Sequence, residues 1–408
     1  MTAHPLLDSP AAWSRLGASL IVATVGSVGM WVIVVVLPAV QSDFGIARGA
    51  ASVPFTLTML GFALGNLVMG RAVDRYGIAT VLAGSAAMIS AGFALAAATP
   101  TVVLLALAQF FVGLGTAASF GPLIADVSHW FERRRGIAVA VAASGNYVSG
   151  AIWPLLLSGV LASHGWRTVY LLLALIVPLT VIPLALFLLR RRLPEAAKAG
   201  AAAAAAARSV ASGLSPRALV VLLVIAGLAC CVAMSMPQVH IVAYCVDLGY
   251  GPAVGAEMLS LMLAGGIVSR ILSGFVADRL GGLRTLLIGS GLQGLALFLY
   301  LPWDGLVPLY VVSLIFGLAQ GGIVPAYALI VREYLPPRIA GERVGLVIMA
   351  TILGMALGGW MSGWIYDLTG SYRLAFLNGI AWNALNFGIA LMILVRSRPA
   401  RTPVPAAG

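Results

Sequence analysis

Arg270 stands alone among apolar and small residues, in the stretch Ala264-Gly265-Gly266-Ile267-Val268-Ser269-Arg270-Ile271-Leu272-Ser273-Gly274. If that stretch is helical, Arg270 lies roughly 12 Å from Asp278, eight residues on, at ~1.5 Å rise per residue. A guanidinium held that deep in an apolar segment is costly unless it is paired or hydrated, so its default reading is functional. No Asp or Glu falls at comparable depth, which leaves a ligand to supply the anion. The planar guanidinium fork matches a carboxylate in bidentate geometry. The competing role is to snorkel to the nearer surface.

A second group lies in Met236-Pro237-Gln238-Val239-His240-Ile241-Val242-Ala243-Tyr244. Pro237 interrupts a helix and frees backbone groups. His240 and Tyr244, one turn apart, share a helix face. Histidine titrates near neutrality, so His240 can bind an anion or carry a proton; a lone helical histidine also commonly serves structure. Asn146, Tyr147, Trp31, Gln320 and Tyr327 are further candidates to line the same cavity. Asn66 occupies the position 204 residues before Arg270, so the site would be charged on one side only. Cys230, Cys231 and Cys245 read as packing thiols, and neither a metal site nor a cofactor is expected.

The elements that must position these residues are membrane helices. The chain is 61% hydrophobic and 9% charged, with a mean hydropathy of +1.03, outside the range of water-soluble domains. A spanning helix needs roughly 20 apolar residues. Twelve such runs are expected, near 18–40, 50–70, 78–98, 102–124, 137–161, 166–189, 218–243, 254–276, 283–301, 306–330, 343–365 and 373–395. This map puts 20 of the 24 basic residues on one side, and Arg48, Arg167 and Arg373 on the other. By the positive-inside rule both termini are cytoplasmic, in a multi-pass protein of the cytoplasmic (inner) membrane. The net charge of +11 is thereby a topology signal and needs no nucleic-acid partner. The first run is too long for the apolar core of a cleavable signal.

The segment Gly70-Arg71-Ala72-Val73-Asp74-Arg75-Tyr76-Gly77 returns 204 residues later as Gly274-Phe275-Val276-Ala277-Asp278-Arg279-Leu280-Gly281. The offset is half of 408 residues, so the chain reads as two similar six-helix bundles, 1–189 and 218–408. Residues 190–217, with an alanine tract at 201–207, read as a cytoplasmic linker. Each charged turn can act as a conformational latch. Asp74 and Asp278 offer carboxylates to a neighbouring helix N-terminus, Arg75 and Arg279 anchor the turn, and Gly70, Gly77, Gly274 and Gly281 shape it. Helices 4 and 10 carry Gly113, Gly115, Gly121, Pro122 and Gly317, Gly321, Gly322, Pro325, which permit close packing and bending.

The paired G-x-x-x-D-R-x-G turns resemble the signature loop of the major facilitator superfamily. The stretch His129-Trp130-Phe131-Glu132-Arg133-Arg134-Arg135-Gly136 and the small-residue run to Gly150 resemble the monocarboxylate porters and bacterial organic-anion carriers. The resemblance implies an all-α membrane fold of twelve helices in two pseudo-symmetric bundles. It implies a non-enzymatic secondary transporter working by alternating access. That family also places an arginine on helix 8, where Arg270 stands.

The chain departs from proton-coupled members in two places. Helix 1 is uncharged, and Gly266 occupies the position of the acidic residue before the arginine. Proton coupling would therefore fall to His240 or the substrate carboxyl, while anion exchange needs neither. Residues 345–364 carry no charge, which favours a monoanion over a dianion. A drug or metabolite exporter is the rival, but Gly150-Ala151-Ile152-Trp153-Pro154 lacks the G-P-x-x-G-G antiporter pattern. The expected function is transport of a small organic monocarboxylate, with protons as a candidate second partner, by a monomer in the bilayer.

Overall fold

A computed structural model describes residues 7–131, 134–190, 214–335 and 337–396. The side chains of Asp74 and Asp278 and most of the expected linker at 190–217 lie outside the described residues. Among the described residues there is no strand. In a bilayer every backbone N–H and C=O must be satisfied inside the protein, and continuous helices do this without a sheet edge.

Eleven helical runs are long and apolar enough to cross a bilayer. One of them, Ile137–Leu188, has 52 residues, or ~78 Å at ~1.5 Å per residue, more than twice a ~30 Å hydrocarbon core. Gly165 interrupts it with φ 77° and ψ 173°, so it is two helices and the described residues hold twelve such helices. We number them α1 (Pro10–Phe44), α2 (Arg48–Tyr76), α3 (Ile78–Ala98), α4 (Val102–His129), α5 (135–164) and α6 (166–188). The series continues with α7 (Pro216–Asp247), α8 (Pro252–Leu280), α9 (Gly282–Leu299), α10 (306–334), α11 (Pro337–Thr369) and α12 (Arg373–Arg396).

Local chemistry fixes the ends. Ser9, Thr101 and Ser215 each accept a hydrogen bond from a backbone N–H three residues on, and Pro216 opens α7 where no donor is needed. Several helices run past the apolar stretch read from sequence, because helical hydrogen bonding continues into the polar ends. The α2–α3 and α8–α9 turns are near copies: Gly77 has φ 83°, ψ 158° and Gly281 φ 81°, ψ 166°. Only glycine adopts that backbone without strain. The repeat extends to the breaks within helices. α4 is interrupted by a 3-10 turn at Ala117–Ser119, and α10 at Gly321 and Gly322, the same register 204 residues apart.

The first six helices pack mainly on one another, as do the last six. The two sets meet where α2 packs on α11, α5 on α8 and α1 on α7. Phe187, Val395 and Leu179 are 84%, 77% and 72% exposed on the periphery, a surface that hydrocarbon tolerates and water does not. Interior polar groups tie helices together: Gln109 Nε2 donates to Tyr170 Oη at 2.7 Å, and Tyr327 Oη donates to Asn386 Oδ1 at 2.6 Å.

Candidate functional site

Arg270 lies about 15 Å from the end of α8, ten residues before Leu280. Glycines set its surroundings. A Cβ on Gly321 would stand 2.8 Å from Arg270 N, so α10 touches the α8 backbone. A Cβ on Gly266 would stand 3.1 Å from Tyr147 Cδ1 and Cε1, so the ring of Tyr147 on α5 lies flush against α8. Arg270 Cζ is 4.2 Å from the centroid of that ring, a cation–π contact. The guanidinium donates from Nη1 to Ala143 O at 2.7 Å and from Nε to Gly321 O at 3.3 Å. Those carbonyls belong to α5 and α10, so one half-buried side chain joins helices of both sets. No ion pair among the described residues includes Arg270. A cavity of about 180 Å³ opens beside it between α5, α8, α9 and α10.

Three further expected residues, Trp31, Asn146 and Gln320, adjoin this cage. Trp31 Nε1 donates to Asn146 O at 3.0 Å and to Asn146 Oδ1 at 3.1 Å, and Trp31 packs over Gly150, one turn beyond Asn146 on α5. Gln320, next to Gly321, is fully buried. Its Oε1 accepts from Gln238 Nε2 at 2.6 Å, and its own Nε2 has no partner among the described residues. Such an orphaned donor costs about 1–3 kcal/mol unless something else fills it. Gln238 was not singled out from the sequence. Its only advance signal was its place beside Pro237.

The remaining expected residues lie elsewhere. Tyr327 is engaged with Asn386 of α12. Asn66 binds its own helix, Nδ2 to Phe62 O at 2.8 Å, with its Oδ1 against Gly121 at the break in α4. It thus rests on α4 as Arg270 rests on α10. His240 and Tyr244 sit toward the opposite face from the basic turns. His240 Nε2 donates to Gly359 O at 2.7 Å, because a carbonyl can only accept; Nδ1 of the neutral ring then accepts from Tyr372 Oη at 2.9 Å. Tyr244 meets Tyr372 and Phe376 edge to face.

That face is closed by a cluster built on Arg48, at the start of α2 and 6% exposed. Its Nη1 and Nη2 each reach a different oxygen of Asp247 at 3.0 Å, a bidentate pair between α2 and the end of α7. Nη1 also donates to Tyr372 Oη at 2.8 Å, and the guanidinium lies 4.6 Å from the ring of Tyr366. Burial raises the Tyr372 phenol well above its ordinary range, against the opposing pull of Arg48, so it keeps its hydrogen for His240. Asp367, at the end of α11, accepts from Arg48 N at 2.8 Å and Gly49 N at 2.6 Å and caps α2. Below it the helices nearly touch: a Cβ on Gly363 would stand 2.8 Å from Ser52 Oγ, and one on Gly359 2.9 Å from the Phe55 ring. At the other end a Cβ on Gly70 or Gly274 would meet nothing within 4 Å. The face of Arg48 is thus closely packed, while Gly70 and Gly274, near the basic turns, border open space. Arg75 there lies over the ring of Tyr76 at 5.2 Å.

The sequence reading took Arg48 as a loop charge. A cation at the first residue of a helix opposes the helix dipole, which was the one local sign that it had another use.

Known proteins are similar to this chain in sequence and fold. Monocarboxylate transporter 13 of Rattus norvegicus is 27% identical over 283 residues, 69% of this chain, and the chain spans 65% of that protein's length. The agnestins efflux protein AgnL12 of Paecilomyces divaricatus is 25% identical over 336 residues, covering 81% of this chain and 74% of that protein. Among solved structures, a bacterial homolog of the human lysosomal transporter Spinster, in an inward-facing and occupied conformation, superposes with a TM-score of 0.75. It has 15% identity and covers 97% of this chain and 100% of its own, which is a likeness of fold. The sequence profile of the Major Facilitator Superfamily matches residues 19–307 and 247–408, and the chain belongs to that family.

Proposed function

We propose that the protein is a secondary transporter, not an enzyme, that carries a small organic monocarboxylate across the cytoplasmic membrane by alternating access. The observation that carries this reading is Arg270, a mid-membrane cation held by two carbonyls and a ring with no carboxylate paired to it among the described residues. Carbonyls and a π face orient a guanidinium without neutralising it, so an incoming carboxylate meets a positioned, uncompensated charge. Tyr147, Asn146, Trp31 and Gln320 form the rest of the site on this reading. Asn66 and Tyr327 support the broken helices, and His240 and Tyr244 communicate with the seal. The halves 1–189 and 218–408 would rock about Arg270, tethered by 190–217, with the basic face and both termini in the cytoplasm. The Arg48 seal then closes the outer face, and the turns at Gly70–Gly77 and Gly274–Gly281 latch the inner face when the cycle reverses. Coupling would be proton symport or anion exchange, in a monomer.

The test is uptake of labelled monocarboxylates into proteoliposomes, with an inward proton gradient imposed or collapsed. Gradient-driven uptake indicates symport, and uptake only against preloaded anion indicates exchange. Silence across the panel rejects the proposal. A relative named for efflux favours a second reading, export of a larger metabolite or drug by proton antiport. It predicts extrusion from preloaded vesicles without anion requirement.

A further inference from the structure

The cavity beside Arg270 has a composition that bears on the body of the substrate. Arg270 is its single charged wall residue among the described residues, and most of the remainder is small and apolar, as at Ala140 on α5, Ala277 on α8 and Ala326 on α10. Two hydroxyls reach the wall, and both hydrogens are committed: Ser273 Oγ donates to Arg270 O at 3.0 Å and Thr285 Oγ1 to Gly281 O at 2.9 Å. Neither can donate to a keto or hydroxyl oxygen without abandoning its own helix. The carbonyls of Ala143 and Gly321 are likewise occupied by the guanidinium. The volume, about 180 Å³, exceeds the ~150 Å³ of an apolar cavity known to receive benzene.

We infer that the site takes monocarboxylates with an apolar body of about five to seven carbons, aromatic or branched, in preference to short hydroxy- or oxo-acids. This rests on the proposed role of Arg270 as the carboxylate anchor. The carboxylate would sit at the guanidinium and the hydrocarbon would fill the space toward Ala140 and Ala277. Each added methylene should then tighten binding about fourfold until the space is full. A keto oxygen on the body would find no free hydroxyl donor there and would lose its water, and a hydroxyl would exchange its water for at most an acceptor.

The experiment is equilibrium binding of labelled benzoate to the purified full chain in detergent, with unlabelled competitors, which avoids passive diffusion of acids through lipid. The competitors are the straight-chain acids from acetate to octanoate, together with lactate and pyruvate. We expect benzoate to bind, straight-chain acids to improve about fourfold per carbon and then stop improving, and lactate and pyruvate to compete no better than propionate. Ala140→Leu, and independently Ala277→Leu, should move the break in the length series to a shorter chain. Lactate or pyruvate binding more tightly than propionate would overturn the inference and leave the monocarboxylate reading standing. So would a flat length series in the wild-type chain, which needs no variant to fold. Binding of no monocarboxylate at all would overturn the underlying reading of Arg270 and this inference with it.

Discussion

Replacing Asp247 by asparagine removes one charge from the Arg48 seal, on the proposed outer face, at almost no change in shape. Arg48 is 6% exposed and the Asp247 side chain 25%. Breaking a fully buried ion pair costs about 3–5 kcal/mol. The partial exposure of Asp247 and the bonds Arg48 keeps to Tyr372 and Gln41 lower this to about 1–3 kcal/mol. The cost falls on the sealed state alone, because Arg48 is hydrated once α2 and α11 part. On the proposed cycle it therefore acts as a bias of roughly 5- to 150-fold toward the state open on the Arg48 face. Ser52 reports this directly: it is 0% exposed, lies beneath Arg48, and donates to Arg48 O at 2.9 Å. In a chain whose three buried cysteines are replaced by alanine, Ser52→Cys should react slowly with a membrane-impermeant maleimide added from outside. Asp247→Asn should raise that rate by the same roughly 5- to 150-fold. Arg48→Gln should do likewise, and the double variant should exceed the larger single effect by little, since both remove one interaction. An unchanged rate, or effects that simply add, would refute the seal.

Two further outcomes follow from the same geometry, and a third from the repeated glycine turns. His240→Ala removes the acceptor of Tyr372 and should also raise labelling at position 52; if His240 serves only the substrate, labelling stays at the wild-type rate. Gly266→Ala places a methyl about 3.1 Å from the Tyr147 ring and should displace it from Arg270. The lost cation–π contact, about 0.5–2 kcal/mol, predicts a substrate Kd higher by about 2- to 30-fold, and an unchanged Kd would remove Tyr147 from the site. Asp74→Asn should slow exchange between the two states more than it weakens binding, as read from counterflow rate against Kd; a pure affinity loss would contradict the latch.

How much of this was legible depended on whether each signal was local. Spanning helices follow from hydrocarbon thickness acting on runs of about 20 residues, and the repeat of the glycine turns needs no contact information. Arg270 was visible because a charge inside an apolar run is conspicuous. Arg48 was not, because charges at helix ends are ordinary; its burial is made by Asp247, Tyr366 and Tyr372, residues 199, 318 and 324 positions away. Gly266 read as an absent acid, whereas in space it is the surface that receives Tyr147. Tyr327 resembled a cavity residue equally well, since nothing in its own helix reveals that Asn386 lies behind it. Gln238 and Gln320 became a pair only once α7 and α10 were side by side.

The central claim is that a substrate carboxylate is the missing counter-ion of Arg270. It is tested most directly by binding an acid and its neutral isostere, benzoate and benzamide, to the wild-type chain and to Arg270→Gln. The account predicts that the wild type binds benzoate at least tenfold more tightly than benzamide, a difference of ~1.4 kcal/mol, and that Arg270→Gln loses that preference while still inserting into the membrane. Equal binding of acid and amide by the wild type, or an undiminished preference in Arg270→Gln, would contradict it.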